Sequence, residues 1–190
     1  MNNINQHITI FNVLLFLMSI IFFFKTKNKT QILYSKKFVD SLNSEIDLRD
    51  SLILDLNNHI PIGSPVDKID ISSGFGYRIH PISKIKKFHN GIDFSGTYRD
   101  TIYCTAEGIV TEATWLGGYG NCVKIKHKNG FETIYAHLSK IFVVKGDKVN
   151  DSTPIGKMGS TGHSTGCHLH YEILFNGKLI NPKKYVYNKN

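Results

Sequence analysis

The sequence predicts a mainly β protein: an antiparallel β-sheet domain, preceded by an N-terminal transmembrane helix and a helical stalk. Three observations carry this expectation. Beyond Pro61 the chain falls into short segments rich in Ile, Val, Thr and Tyr, punctuated by Gly and Asn, as short strands joined by turns require. From Ile8 to Phe24 the only polar residues are Thr9, Asn12 and Ser19, and none is charged. Between these regions, apolar residues recur at helical spacing.

In chain order, the apolar run from Ile8 to Phe24 just meets the lower limit of about 17 residues for a helix that crosses a bilayer core. Lys25, Lys27 and Lys29 follow it without a small-residue cleavage site, which fits an uncleaved anchor better than a removed signal peptide. From Val39 onward, Leu42, Ile46, Ile53 and Leu56 keep alternating spacings of three and four once Arg49 is counted. That is a heptad run interrupted by a charge, and it predicts a helix that packs on its own domain or self-associates weakly as a stalk. Asn57, Asn58, Pro61, Gly63 and Pro65 then end the helix. The division expected is residues 1–30 as tail, anchor and basic flank, 31–60 as stalk or linker, and 61–190 as the β domain. Within the last, strands are expected at Thr101–Cys104, Gly108–Thr114, Cys122–His127, Phe131–His137, Ile141–Val144 and His168–Phe175. Lys128-Asn129-Gly130 reads as a tight hairpin turn between two of them.

With 190 residues, 41% of them hydrophobic, the chain is long enough for one well-cored domain and an appendage, but not for two full domains. Its formal net charge of +8 favours an anionic partner, either lipid headgroups or an anionic polymer. No helix-turn-helix, zinc-finger or RNA-binding motif is present, so no nucleic-acid partner is expected. Cys104, Cys122 and Cys167 are odd in number and far apart; without a Cys-x-x-Cys they read as small space-filling residues in strands.

The chemistry concentrates at Ser164-Thr165-Gly166-Cys167-His168-Leu169-His170-Tyr171-Glu172. Two histidines separated by one residue on a strand point to the same face and share one site. Upstream, His89 and Asp93 stand four apart around Gly91, and in an extended segment they too share a face. Together with one histidine of the 168/170 pair they make two nitrogen donors and one oxygen donor. Such a set leaves a fourth tetrahedral position open, which is the layout of a catalytic zinc site.

Four separated motifs, in this order, resemble the lysostaphin/LytM-type zinc endopeptidases. They are Ser73-Gly74-Phe75-Gly76-Tyr77-Arg78-Ile79-His80-Pro81; His89-x-Gly91-x-Asp93; Tyr135-Ala136-His137-Leu138; and the run from Gly159 through His168-Leu169-His170 to Glu172. The resemblance covers about residues 61–187. It implies a β-sheet groove in which His89, Asp93 and His170 bind Zn2+, with His137 and His168 beside the reacting water and the oxyanion. It also implies hydrolysis of peptide bonds in the stems or cross-links of bacterial peptidoglycan, and hence an extracytoplasmic catalytic domain. The three lysines after the anchor bias the topology the other way. Some members of the family have lost their zinc ligands and activate other wall hydrolases, so a non-catalytic wall-binding module is the alternative; here every ligand position is kept. Cys167 departs from the family, which usually has Pro there.

The remaining candidates have plainer readings. His80 is expected to shape the groove rather than bind metal, and His59, His127 and His163 to be exposed loop residues near turns. The glycines from Gly156 to Gly166 lack the Lys-Ser or Lys-Thr of a phosphate loop. As a nucleophile Cys167 is poorly placed, because a strand would point it away from His168.

Overall fold

Side-chain alternation in the strands decides which residues meet at the site. The structure is a computed structural model, and it describes residues 14–20, 29–79 and 84–187. The chain divides into two compact units, Met1–Leu52 and Ile53–Asn190.

In the first unit, residues 14–20 are helical and the long helix α1 (Lys29–His59) begins. No helix among the described residues is long and apolar enough to cross a membrane. Of the span expected at Ile8–Phe24, residues 8–13 and 21–24 lie outside the described residues. The helix α1 runs unbroken through Arg49, as a strong helix former allows. Its heptad positions Val39 and Leu42 are half-buried, and Ile46 is exposed.

The second unit opens on the end of α1. There the Asn58 carbonyl accepts from the Glu107 amide at 2.7 Å and the Asp55 carbonyl meets the His59 ring. The first contact satisfies a carbonyl that the last helical turn leaves without an internal partner. Among the described residues thirteen strands follow: β1 (Ile71–Ser73), β2 (Gly76–Ile79), β3 (Lys86–His89), β4 (Ile92–Ser95), β5 (Thr101–Tyr103), β6 (Gly108–Trp115), β7 (Asn121–His127), β8 (Phe131–Leu138), β9 (Lys140–Ile141), β10 (Lys148–Val149), β11 (Pro154–Lys157), β12 (His168–Phe175) and β13 (Lys178–Ile180). The main sheet has the order β1-β4-β12-β8-β7-β6-β10, with β13 added to β12; β5-β11-β9 and β2-β3 form two smaller sheets. All these pairings are antiparallel.

The hairpin expected at Lys128-Asn129-Gly130 joins β7 to β8, with positive φ at Asn129 and Gly130 as a tight primed turn demands. The strand expected over Ile141–Val144 shrinks to Lys140–Ile141. There the Asp147 carboxylate accepts from the Val144 amide at 2.9 Å and draws the chain into a turn. The short strands β1 to β4, β10, β11 and β13 carry too few apolar residues to announce themselves.

One face of the main sheet packs on the core. Leu169, Tyr171 and Ile173 of β12, Ile92 and Phe94 of β4, and Tyr135 of β8 meet Ile102, Ile155 and Met158 there. The opposite face carries a small cluster of Cys122, Ile134 and Ala136 together with the alternate residues of β4 and β12.

Candidate metal centre

The register between β4 and β12 sets Leu169 opposite Phe94 and Tyr171 opposite Ile92, as pairs on the core face. It therefore sets His170 opposite Asp93 and His168 opposite Ser95 on the other face. His89 arrives differently. It ends β3, where it pairs with Gly76 of β2, and the chain turns at Asn90-Gly91 before β4 begins. The single extended segment expected to join His89 to Asp93 is thus two strands in two sheets. Gly91 is required at the turn for a packing reason: a Cβ there would run into the Tyr171 carbonyl.

The three side chains converge. His89 Nε2 lies 3.0 Å from His170 Nδ1 and 3.2 Å from Asp93 Oδ1, and His170 Nδ1 lies 2.8 Å from Asp93 Oδ1. All three residues are buried. Ligands about 2.0–2.1 Å from a tetrahedral zinc stand about 3.3 Å from one another, so two imidazole nitrogens and one carboxylate oxygen at these separations fit such an ion. The outer atoms are held as well. His89 Nδ1 donates to the Gly74 carbonyl at 2.8 Å, and His170 Nε2 donates to Glu172 Oε1 at 2.9 Å. Glu172 Oε1 also accepts from the Tyr119 hydroxyl at 2.9 Å. Such partners fix the ring orientation and leave the inner nitrogen as the metal-facing atom.

Electrostatics follow from this crowding. Burial alone would push the His170 imidazole down, but the Asp93 and Glu172 carboxylates on either side outweigh it and raise its pKa to about 9. Burial likewise works against ionised Asp93, and the hydrogen bonds from His170 and His89 overcome it, holding the carboxyl well below its ordinary range. Burial beside Glu172 pushes the Tyr119 hydroxyl up to about 12, so it stays a donor.

Two further imidazoles border the donor set. His168 is two residues before His170 on the same face of β12, and its Nδ1 meets the Gly166 carbonyl at 2.8 Å. His137 reaches the face against the parity of its strand. Ile134 and Ala136 of β8 lie on this face, so alternation would send His137 into the core. Between Asn121↔Leu138 and Val123↔Tyr135, however, β8 holds one residue more than β7, and His137 sits at φ 62°. That bulge re-aims the side chain. Its ring centroid then lies 4.7 Å from that of His168 and 5.8 Å from that of His170. The Thr161 carbonyl accepts from His137 Nδ1 at 2.8 Å, leaving Nε2 free, and burial lowers the imidazole pKa to about 4. Together these residues line a groove of about 640 Å³.

His89, Asp93, His137, His168 and His170, all singled out from sequence, therefore meet in one place. The sequence reading singles out neither Glu172, which bonds His170, nor Tyr119, which bonds Glu172. Glu172 was legible, since a residue two beyond His170 on a strand shares its face; Tyr119 arrives from the β6–β7 connection without a local signal. His59 and His127 are not exposed loop residues: both are buried. The His127 ring is held between the Glu107 carbonyl and Thr133 Oγ1, each at 2.8 Å, because β7 alternation turns it inward. His163 is exposed and borders the groove, while His80 lies outside the described residues. All three cysteines are free, Cys104 and Cys122 buried and Cys167 half-buried.

An antiparallel sheet that presents two imidazoles and a carboxylate to an open groove defines the architecture of a zinc peptidase. Residues 87–182 match the family model described as Peptidase family M23, and the chain belongs to this family. It is 48% identical over 112 residues to the DD-carboxypeptidase/endopeptidase Mpg of Neisseria meningitidis, a match covering 59% of this chain and 26% of that protein. To the peptidoglycan DD-endopeptidase ShyA of Vibrio cholerae it is 43% identical over 122 residues, covering 63% and 28%. The chain thus spans about a quarter of the length of these relatives. Among solved structures, a zinc-containing peptidase from Vibrio cholerae aligns with a TM-score of 0.58 at 37% identity, covering 62% of this chain and 37% of that one. The lysostaphin catalytic domain from Staphylococcus simulans aligns with a TM-score of 0.57 at 30% identity, covering 62% and 91%.

Proposed function

We propose that the chain is a zinc-dependent endopeptidase that hydrolyses peptide bonds in the stems or cross-links of bacterial peptidoglycan. The observation that carries this reading is the convergence of His89 Nε2, Asp93 Oδ1 and His170 Nδ1 within 3.2 Å of one another, with two more imidazoles beside them. His89, Asp93 and His170 would hold the metal. When bound, zinc supplies Lewis acidity and makes water nucleophilic near neutral pH. His137 and His168 share the proton work: a neutral imidazole accepts a proton at Nε2 and returns it to the leaving amine, while a protonated one donates to the developing oxyanion. The carbonyls of Thr161 and Gly166 hold the opposite nitrogens and so turn both Nε2 atoms toward the site, that of His168 lying 3.8 Å from Asp93 Oδ1. The relatives are named for peptidoglycan endopeptidase activity, which supports the substrate class.

The test uses the purified full chain on cell-wall sacculi. Zinc-dependent solubilisation with new free amino groups is expected; release of reducing sugars in their place overturns the bond type. A chain that binds sacculi and stimulates another hydrolase equally well as wild type and as His170→Ala would instead be a wall-binding activator.

Residues 61–190 form the peptidase domain and residues 31–60 a stalk. The apolar run 8–24 anchors the chain in a membrane, with the peptidase domain on the outer side where its substrate lies, against the bias of Lys25, Lys27 and Lys29. The stalk heptads bring copies into weak self-association. Carbonate extraction of membranes, protease access to the domain in intact cells, and sedimentation of the detergent-solubilised chain test these in turn.

A further inference from the structure

The β2–β3 pairing places Arg78 directly opposite Lys87 and Gly76 opposite His89. Residues directly opposite in an antiparallel pair, and those two apart on one strand, share a face. Arg78, Lys87 and His89 thus lie on one side of this two-stranded sheet, and all three line the groove. The other side carries Tyr77 and Phe88, whose rings pack edge to face at 5.1 Å. Like charges set opposite each other on a sheet cost stability unless an opposite charge meets them.

Nothing in the groove neutralises this pair fully. The carboxylates lining it are Asp93 and Glu172, both buried and both bonded to His170. One of the two, Asp93, reaches Arg78, by a single contact between Nη2 and Oδ2 at 3.4 Å. Arg78 Nε is buried and has no hydrogen-bond partner among the described residues, and Lys87 is exposed. The Arg78 side chain, 30% exposed, and the exposed Lys87 ammonium both border the groove. A guanidinium fork matches a carboxylate with two parallel hydrogen bonds, while the lysine adds a point charge.

We propose that Arg78 and Lys87 form a carboxylate clamp that selects substrate peptides bearing a free carboxylate near the scissile bond. This deepens the peptidase reading and rests on it. Strand β3 rises about 3.3 Å per residue, so Lys87 lies about 7 Å along from His89. That is the span of two extended peptide residues. The carboxylate recognised is therefore within about two residues of the bond cut, on the β2–β3 side. A chain terminus and an acidic side chain both offer this chemistry.

The experiment uses the zinc-loaded full chain and synthetic cross-linked stem peptides, identical except that one carboxylate at a time, terminal or side-chain, is replaced by carboxamide. Cleavage and equilibrium binding are both measured for wild type and Lys87→Gln, with zinc content checked in each. One particular replacement is expected to raise KM and weaken binding about tenfold in the wild type, and its position identifies the source. In Lys87→Gln the ratio between acid and amide is expected to fall toward one, through KM rather than kcat. Cleavage without any acid preference, or a preference that survives Lys87→Gln, overturns the clamp and leaves the peptidase reading standing. Preferential binding that is lost in Lys87→Gln, with no peptide cut, removes the peptidase reading and keeps the clamp. Neither binding nor cleavage of any peptide overturns both.

Discussion

The two faces of strand β12 are built from alternate residues of one eight-residue segment, yet opposite rules hold them together. On the core side Leu169, Tyr171 and Ile173 are fully buried. The polar tip of Tyr171 is satisfied there: its hydroxyl lies 2.9 Å from Thr105 Oγ1, which also meets the Tyr135 hydroxyl at 3.0 Å. On the groove side His168, His170 and Glu172 stand among Asp93, His89 and His137, and the polar atoms crowd toward one point. A network whose members all have partners stabilises and specifies the core. The groove side instead gathers His89, Asp93 and His170 donor atoms close enough together to hold a shared cation. Neutral imidazole and carboxylate atoms 3 Å apart repel unless a proton or a metal lies between them. One face thus makes the strand rigid, and the other uses that rigidity to hold a costly arrangement.

If this division is right, damage to the groove face should remove function with the fold intact, and damage to the core face should do the reverse. The largest effect is expected for His170→Ala. Stoichiometric zinc is lost by elemental analysis and sacculus solubilisation drops to background, while circular dichroism retains the β signature. Next comes His137→Ala, which should keep its zinc and slow cleavage by roughly 100- to 10,000-fold. A variant that loses its metal would instead make His137 part of the donor set. Glu172→Gln should weaken zinc affinity by roughly 10- to 100-fold in competition with a chelator, because the His170 ring loses its anionic partner; an unaltered affinity would show that the Glu172 contact is merely structural. Smallest is Tyr171→Phe. It should cost about 1 kcal/mol in denaturant unfolding and leave zinc content and turnover at wild-type values. A large loss of activity there would erase the separation between the two faces.

Much of this site was legible because it is local. A His-x-His pair on a strand shares a face whatever surrounds it, and the same parity adds Glu172. The Asn129-Gly130 turn and the strands flanking it follow from backbone preferences at single residues. Likewise, the grouping of His89 and Asp93 survived although they belong to separate strands, since Gly91 lets the intervening turn lie against the β12 backbone. Other features depended on partners distant in the chain. His59 and His127 looked like turn residues, and only the packing of the helix end and of β7 shows them buried. Tyr119 reaches Glu172 from a connection that has no periodicity of its own.

By itself, the sequence determined the periodicities, the turns and the donor types, and through its motifs the class of chemistry, because each of these is written within a few adjacent residues. Tertiary structure alone decided how the strands register against one another. It inserts the extra residue in β8 that swings His137 out of the core, pairs Asp93 with His170 across β4 and β12, and sets Arg78 against Lys87 at the groove wall. Register is fixed by hydrogen bonds between distant segments, and a shift of one residue would send each of these side chains to the opposite face.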